Sequence, residues 1–191
     1  NLGTGGVGVA FVGDGAFNQG TTAEGMNLAK VWDLPFVLIL ENNGYAETTS
    51  SEWAMGGGDA VARAAGFGLP GVSVDGFDFF AVHEAASEAI AKARGGEGPQ
   101  FIETRLSRYY GHFEGDSQTY RAKDEVKKLR DTVDCLVQFR EKVEGAALLD
   151  AKDFDDIDAE AMAIIEESVV KAKASPVPTA SDLLTDVYIS Y

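Results

Sequence analysis

Two short polar turns near the start of the chain carry oxygen ligands that suit a divalent cation. The first is Gly13-Asp14-Gly15 and the second is Asn42-Asn43-Gly44, with twenty-six residues between Gly15 and Asn42. A carboxylate and an amide carbonyl are hard oxygen donors of the kind that Mg²⁺ prefers, and Mg²⁺ often takes its remaining ligands from phosphate and water. Either turn alone is a common loop sequence. Together, at this spacing, they predict a site for magnesium and a diphosphate.

The residues before each turn predict two neighbouring parallel strands. Residues 7–12 and 36–40 are continuous apolar runs, as in strands that are covered on both faces. A strand, a helix and a strand in this order form a parallel crossover unit, and ligands bind beyond the carboxyl ends of such strands. We therefore expect Asp14 and Asn43 to converge at one edge of a sheet, where Gly15 allows a close approach of the backbone.

The helix between these strands is predicted from its first turn. Thr21 and Glu24 have the spacing of a capping box, so the helix is expected to begin there, with Glu24 as a cap, and to end near Trp32. The alternation then continues along the chain and predicts a doubly wound, mostly parallel α/β sheet. Its further elements are a helix at residues 59–65, a strand at 72–74, a helix at 79–94 and a strand at 100–106.

The chain changes character after a polar, aromatic loop at residues 107–120. Charged amphipathic helices are expected at residues 123–143 and 158–174. We therefore divide the chain into an α/β domain, residues 1–121, and a helical C-terminal extension, residues 122–191. Since the chain begins at Asn1 and enters a strand almost at once, an N-terminal part of the domain is expected to be missing.

Composition excludes several classes of protein. The net charge is −15, from 31 acidic and 16 basic residues, which disfavours binding to nucleic acids and to anionic membranes. The single cysteine, Cys135, excludes a disulfide within these residues, and its place in a predicted helix favours a packing role. The longest apolar run is too short to span a bilayer, and no signal peptide is visible, so we expect a cytoplasmic location.

The two turns and three further motifs resemble the alpha chain of the first component of 2-oxo-acid and acetoin dehydrogenase complexes, which are thiamine-diphosphate enzymes. The resemblance covers essentially the whole chain. The segments that carry it are Gly13-Asp14-Gly15-Ala16-Phe17-Asn18-Gln19-Gly20, Glu41-Asn42-Asn43-Gly44-Tyr45-Ala46, Arg108-Tyr109-Tyr110-Gly111-His112, Asp116-Ser117-Gln118-Thr119-Tyr120-Arg121 and Leu184-Thr185-Asp186-Val187-Tyr188.

The resemblance implies a role for particular residues. Asp14, the side chain of Asn43 and the carbonyl of Tyr45 would ligate Mg²⁺, while the backbone of Gly15 and Ala16 would contact thiamine diphosphate. Arg108 and His112 would lie over the diphosphate and the mouth of the site, and His112 would assist acyl transfer to a lipoyl group. In mitochondrial members a regulatory serine follows this histidine. Phe113 stands there in this chain, which excludes phosphorylation at that position.

Several of these residues also have simpler interpretations. Arg108 could be a solvated loop charge, and His112 a structural loop residue. His83 falls within a predicted helix and is interpreted as structural. The loop aromatics are expected to order the loop, and the acidic pairs of the C-terminal helices are interpreted as solvated faces; these residues are Tyr109, Tyr110, Phe113, Tyr120, Asp155, Asp156, Glu166 and Glu167.

The resemblance further implies an incomplete active site. In this family a beta subunit supplies the glutamate that activates thiamine, and a lipoyl-bearing acyltransferase accepts the acyl group. We therefore expect an alpha-beta heterotetramer, and expect the chain alone to bind the cofactor weakly and to be inactive. The substrate would be acetoin, slightly ahead of pyruvate or a branched-chain 2-oxo acid. The alternative is an inactive, truncated scaffold or interaction module of the same fold.

Overall fold

The computed structural model describes residues 3–185 and residue 187. Within the chain two compact units are distinguished, residues 1–141 and residues 142–191. The sequence suggested a division between residues 121 and 122. That division stays a prediction, because it was based on the change in sequence character, whereas the two units are separated by their compactness. Asp186 and Tyr188, which belong to the last motif of the family resemblance, lie outside the described residues.

A parallel sheet of four strands forms the centre of the first unit. The strands are β1 (Gly8–Gly13), β2 (Phe36–Asn42), β5 (Gly71–Asp75) and β6 (Gln100–Arg105). Their order in the sheet is β1-β2-β6-β5, and every neighbouring pair is parallel. Glu41 of β2 lies opposite Gly13 of β1, so these two strands end together, as the sequence predicted.

Apolar cores on both faces of the sheet show why the central strand β2 begins with five apolar residues in a row. On one face Leu38 and Phe101 pack with residues of α1 (Asp14–Phe17), α2 (Gly20–Val31) and α4 (Ala60–Gly66). On the other face Val37 and Ile102 pack against α5 (Phe79–Arg94). Successive strand residues point to opposite faces, so one strand contributes to both cores. The predicted doubly wound α/β fold is confirmed.

The predicted start of α2 is wrong. This helix begins at Gly20 with Gln19 as its N-cap, so that Thr21 and Glu24 lie inside the helix. Neither residue forms the expected capping box. Instead the neighbouring Thr22 hydroxyl donates to the carbonyl of Ala16, 2.7 Å away, and ties α2 to α1. The predicted end is correct, because Val31 is the last helical residue and Trp32 the C-cap.

A small hairpin and a short helix follow β2 and were not predicted. The strands are β3 (Tyr45–Ala46) and β4 (Thr49–Ser50), and the helix is α3 (Ser51–Ala54). The hairpin turns at Glu47, which has a positive φ of 52°. Strands of two residues are too short to show a hydrophobic alternation, which is why the sequence pattern did not reveal them.

The helix predicted at residues 123–143 is two helices, α6 (Glu125–Thr132) and α7 (Cys135–Gly145). Between them the Tyr109 hydroxyl donates to the carbonyl of Val133, 3.0 Å away, and the Asp134 carboxylate accepts from the amide of Leu136. These bonds satisfy backbone groups at the end of α6 and at the start of α7, so the helix is interrupted between them. Cys135 is exposed, and the packing role predicted for it is wrong.

The second unit contains α8 (Ala151–Ala174) and a 3₁₀ helix (Ala180–Leu184). α8 begins seven residues before the predicted helix, because Asp150 and Asp153 form a capping box that the sequence interpretation overlooked. Across the described part of the chain, no helix combines the length and apolar character that a membrane span requires.

Candidate functional site

Asp14 is a buried carboxylate with one unused oxygen. It follows β1 directly and is only 2% exposed. Its Oδ1 accepts from the amide of Gly15 at 3.0 Å, while its buried Oδ2 has no hydrogen-bond partner among the described residues. Burial raises the pKa of the Asp14 carboxyl, although the Gly15 amide, the Ser51 hydroxyl and the Arg108 charge oppose that rise. Because an unpaired buried charge is costly, a cation beside Oδ2 would stabilise the ionised form.

The second polar turn meets Asp14 at one cavity, as the pairing of β1 with β2 predicted. The cavity has a volume of about 400 Å³. Asn43 belongs to it, and its Oδ1 accepts from the amide of Tyr45 at 3.0 Å. An amide oxygen has two lone pairs, so this bond leaves one available for a further partner. The lining residues are Gly13, Asp14, Gly15, Ala16, Gln19, Asn43, Tyr45, Ala46, Glu47 and His112.

Gly15 is required by the close approach of α1 to the hairpin. A Cβ atom at position 15 would lie 2.6 Å from the Cβ of Ala46. This distance is far inside van der Waals contact, so any side chain would push α1 and β3 apart. The glycine thus brings Asp14 and the turn at Asn43 together. Its amide already donates to Asp14, which fixes the carboxylate as well.

Arg108 contacts residues of the cavity rim without lining the cavity itself. Its guanidinium donates to the carbonyl oxygens of Tyr110 at 3.0 Å and Glu47 at 3.2 Å, and to the Tyr120 hydroxyl. One guanidinium nitrogen lies 3.3 Å from His112 Nδ1. With its side chain only 15% exposed, Arg108 is not the solvated loop charge of the simpler interpretation. It ties the loop at residues 107–120 to the hairpin.

His112 lines the cavity from this loop. Its side chain is half exposed, and its Nε2 lies 3.7 Å from Glu47 Oε1. The backbone amide of His112 donates to Asp116 Oδ2 at 2.8 Å. The imidazole is therefore accessible from the cavity while its backbone is held by a loop contact, an arrangement compatible with proton transfer to a bound molecule.

Asp116 organises the loop that carries His112. Its Oδ2 accepts from the Tyr120 hydroxyl at 2.6 Å, and its Oδ1 accepts from the amide of Gln118 at 2.9 Å. The Tyr120 hydroxyl and the amides of His112 and Gln118 lower the pKa of the Asp116 carboxyl to about 2. These donors favour the charged form, so the loop is held around an ionised carboxylate at neutral pH.

Three of the four loop aromatics pack as expected of residues that order the loop, whereas Phe113 is 64% exposed. The Arg130 guanidinium lies over the rings of Tyr109 and Tyr110, at 5.6 and 4.7 Å from their centroids. The ring of Tyr120 contacts that of Tyr45 at 5.4 Å. His83 lies in α5 with its ring stacked on Phe79, as a structural histidine would.

Glu47 and Ser51 are two polar residues of this region that sequence reasoning did not identify. Glu47 lines the cavity and faces His112, and the Ser51 hydroxyl lowers the pKa of the Asp14 carboxyl. Both belong to the unpredicted hairpin and the helix after it. In the described part of the chain, no three His, Cys, Asp or Glu residues form a cluster suited to a metal ion. A cation here would therefore depend on mixed carboxylate, amide and carbonyl ligands.

The fold and the cavity together define an α/β protein with a site at the carboxyl ends of parallel strands. The chain belongs to the family described as dehydrogenase E1 component, which matches residues 2–181. This result confirms the family that the sequence motifs predicted.

Named relatives agree with the family match. The chain is 54% identical over 189 residues to the alpha subunit of acetoin:2,6-dichlorophenolindophenol oxidoreductase from Cupriavidus necator, covering 99% of this chain and 57% of that protein. Identity is 48% over 185 residues to the protein of the same name from Bacillus subtilis, covering 97% and 55%. It is 40% over 183 residues to the pyruvate dehydrogenase E1 component subunit alpha from Rhizobium meliloti, covering 96% and 53%. The chain thus spans about half the length of the curated relatives it matches.

Proposed function

We propose that this chain is the part of an acetoin or 2-oxo-acid dehydrogenase alpha subunit that binds Mg²⁺ and thiamine diphosphate. The observation that carries the proposal is the buried Asp14 carboxylate, whose Oδ2 has no partner among the described residues and which lines the same cavity as Asn43 and Tyr45. A carboxylate, an amide oxygen and a backbone carbonyl form a donor set that suits Mg²⁺. Membership of the E1 family supports thiamine diphosphate as the accompanying cofactor.

Each ligand has a defined part in this proposal. Asp14 Oδ2, the side-chain oxygen of Asn43 and the carbonyl of Tyr45 hold the cation, and the backbone of Gly15 and Ala16 contacts the diphosphate. The cation also offsets the repulsion between a diphosphate and a protein whose net charge is −15. Thiamine diphosphate, when bound, supplies the chemistry of carbon–carbon bond cleavage, while the protein binds and orients it.

Arg108 and His112 act from the loop side of the cavity. The Arg108 guanidinium places a positive charge near the diphosphate and fixes the position of the His112 ring through their contact. His112, which lines the cavity, holds or transfers a proton during acyl transfer to a lipoyl group. Neither residue is within the set proposed for Mg²⁺, so their replacement should affect turnover more than binding of the cation.

The substrate and partners follow from the relatives. Two of them are named for acetoin and are 54% and 48% identical to this chain, while the relative named for pyruvate is 40% identical. We therefore place acetoin before pyruvate as the substrate. All three are called alpha subunits, which supports a beta subunit as partner, and a lipoyl-bearing acyltransferase component as acceptor. Turnover with acetoin and with pyruvate in the assembled protein distinguishes the two substrates.

The test is cofactor binding by Asp14→Asn, measured on the full-length protein assembled with its beta subunit, by calorimetry with thiamine diphosphate in the presence and absence of MgCl₂. Wild type should bind only with Mg²⁺. The substitution removes the charge and keeps the shape, and should weaken binding by about 100-fold or more, since loss of even an outer-shell partner costs on the order of 10–100-fold in metal affinity. Asp131→Asn, an exposed position in α6, should bind as wild type. If the affinity for thiamine diphosphate changes neither with Mg²⁺ nor with Asp14→Asn, the alternative of an inactive scaffold or interaction module is favoured.

A further inference from the structure

A chain of polar contacts crosses the sheet behind the cavity. The Ser73 hydroxyl on β5 donates to Glu103 Oε2 on β6 at 2.6 Å. The Asn42 amide nitrogen, at the end of β2, donates to Glu103 Oε1 at 2.8 Å. Asn42 Oδ1 in turn accepts from the Ser51 hydroxyl at 3.3 Å. Glu103 is thus linked through Asn42 to Ser51, the first residue of α3.

Glu103 determines which way the Asn42 amide faces. It is 9% exposed, and each of its oxygens accepts one hydrogen bond. An ionised carboxylate can only accept, so the Asn42 nitrogen must face it and the Asn42 oxygen must face away. A neutral partner such as serine would allow either orientation of the amide. The charge on Glu103 therefore removes an ambiguity at the start of the turn that carries Asn43.

The orientation of Asn42 fixes the turn that carries two of the proposed ligands. Its Oδ1 accepts from the amide of Gly44 at 3.3 Å, where the backbone turns with a φ of +85° between Asn43 and Tyr45. The same oxygen accepts from the Ser51 hydroxyl. If the Asn42 amide were reversed, its nitrogen would face the Gly44 amide, which can only donate, and that contact would be lost. The positions of Asn43 and Tyr45 then depend on the orientation of one side chain.

We propose that Glu103 is a positioning residue for the magnesium site, acting through Asn42 on the turn that carries Asn43 and Tyr45. It does not line the cavity, so its effect is indirect. The inference rests on the proposed function and adds to it a residue that lies sixty-one positions away in sequence from the side chain it orients. Loss of a partner that orients a metal ligand costs on the order of 10–100-fold in metal affinity.

Two substitutions at Glu103 separate orientation from simple packing. Glu103→Met keeps the length of the side chain and removes both acceptors, so Asn42 is free to reverse. Glu103→Gln can still accept from Asn42 through Oε1 while its nitrogen donates to the Ser73 hydroxyl, which accepts as well as donates. We therefore expect Glu103→Met to weaken binding most. Because the glutamine amide is neutral and can itself reverse, Glu103→Gln should fall between Glu103→Met and wild type.

Ile102→Ala is the matched control for stability. Ile102 precedes Glu103 on β6, is 2% exposed and packs against α5, on the other face of the sheet from the Phe101 core. Truncating it should cost about 2–5 kcal/mol of folding free energy by cavity formation. It has no contact with Asn42, so it should lower the melting temperature without changing affinity for the cofactor. If Glu103 had only a structural role, Glu103→Met would likewise lower the melting temperature without changing the affinity for the cofactor.

The measurement is calorimetric titration of the full-length protein, assembled with its beta subunit, with thiamine diphosphate in MgCl₂, together with a melting curve for each variant. The inference predicts a Kd raised about 10–100-fold in Glu103→Met and unchanged in Ile102→Ala. Suppose that wild type binds thiamine diphosphate and Asp14→Asn does not, but that Glu103→Met has the same affinity as Ile102→Ala. The inference about Glu103 is then overturned, while the proposed function survives. The inference is also overturned if Glu103→Gln binds no better than Glu103→Met. If wild type shows no magnesium-dependent binding, both proposals fall.

A second substitution covers the case in which Glu103→Met does not fold. Asn42→Ala leaves β6 intact and removes the amide through which Glu103 acts. The same titration should show a comparable loss of affinity. A Kd equal to that of wild type in folded Asn42→Ala would overturn the inference.

Discussion

The cavity is lined on one side by strand ends and on the other by an irregular loop, and the two sides are held in place differently. Asp14 and Asn43 follow strands that pair over six residues each and end in register. Their positions are set by the sheet, and the turn at Asn43 is also held by the hydrogen bond between Asn42 and Glu103. Arg108 and His112 lie in a loop of fourteen residues, 107–120, in which side chains bond to the loop's own backbone. One side depends on regular pairing, and the other on a local polar network.

This difference predicts where the protein is rigid and where it is adjustable. Buried sheet residues open only in global or large-scale unfolding, whereas exposed loops open locally at a much smaller cost in free energy. The proposed cation ligands are therefore on the more rigid side. His112, proposed to act on a substrate that must enter and leave, is on the side that opens more easily. Substitutions on the two sides should differ in kind as well as in size.

The largest effect is expected for Gly15→Ala, on the strand side. The new Cβ would lie 2.6 Å from Ala46 Cβ, so α1 or the hairpin must shift. Overpacking of this kind costs about 1–3 kcal/mol of folding free energy, and the shift should also separate Asp14 from Asn43. Urea denaturation and calorimetric titration should both show the loss. Gly20→Ala, where no atom lies within 4 Å of the new Cβ, is the control, and equal behaviour of the two variants would refute the steric explanation.

A smaller and more local effect is expected for Arg108→Lys, on the loop side. Lysine keeps the charge but cannot reproduce a planar fork that donates to Tyr110, Glu47 and Tyr120. Loss of hydrogen bonds worth about 0.5–1.5 kcal/mol each should speed hydrogen exchange of the His112 amide roughly tenfold, with little change in global stability. Arg105→Lys, at an exposed position near the end of β6, should leave this exchange rate unchanged. If Arg108→Lys exchanges at the wild-type rate, charge alone holds the loop.

The strand side could be predicted from the sequence because its signals are local. Two apolar runs, each followed by a polar turn, predicted β1, β2 and the convergence of Asp14 with Asn43. The bond between Glu103 and Asn42 could not be predicted, because it spans sixty-one residues and nothing in the sequence near either residue indicates the other. The incorrect start of α2 has a different cause, because the helix begins at Gly20 with Gln19 as its N-cap and thereby includes Thr21, the predicted cap.

The loop side was predicted only as far as the family motif reached. Arg108 and His112 were identified by resemblance, while Glu47 was not, because it belongs to a hairpin of two-residue strands. The break between α6 and α7 was also missed. It depends on the Tyr109 hydroxyl, which lies in the loop and donates a hydrogen bond to the carbonyl of Val133. Long-range side-chain bonds decide these features, and hydrophobic periodicity carries no information about them.

The smallest expected effect sharpens the contrast at a single group, the Asp116 carboxyl. Its pKa is about 2, and the Tyr120 hydroxyl is the main cause of that low value. Because the pKa is lowered, the carboxylate contributes its full stabilisation of the loop at pH values above 3.8, its ordinary pKa. This stabilisation is lost as the pH falls toward 2. Tyr120→Phe should raise the pKa of Asp116 toward 3.8, as measured by the ¹³C shift of the carboxyl during acid titration. Tyr110→Phe, at a residue 73% exposed, should leave it at about 2. A pKa that stays low in Tyr120→Phe would show that the backbone amides of His112 and Gln118 suffice to hold the loop.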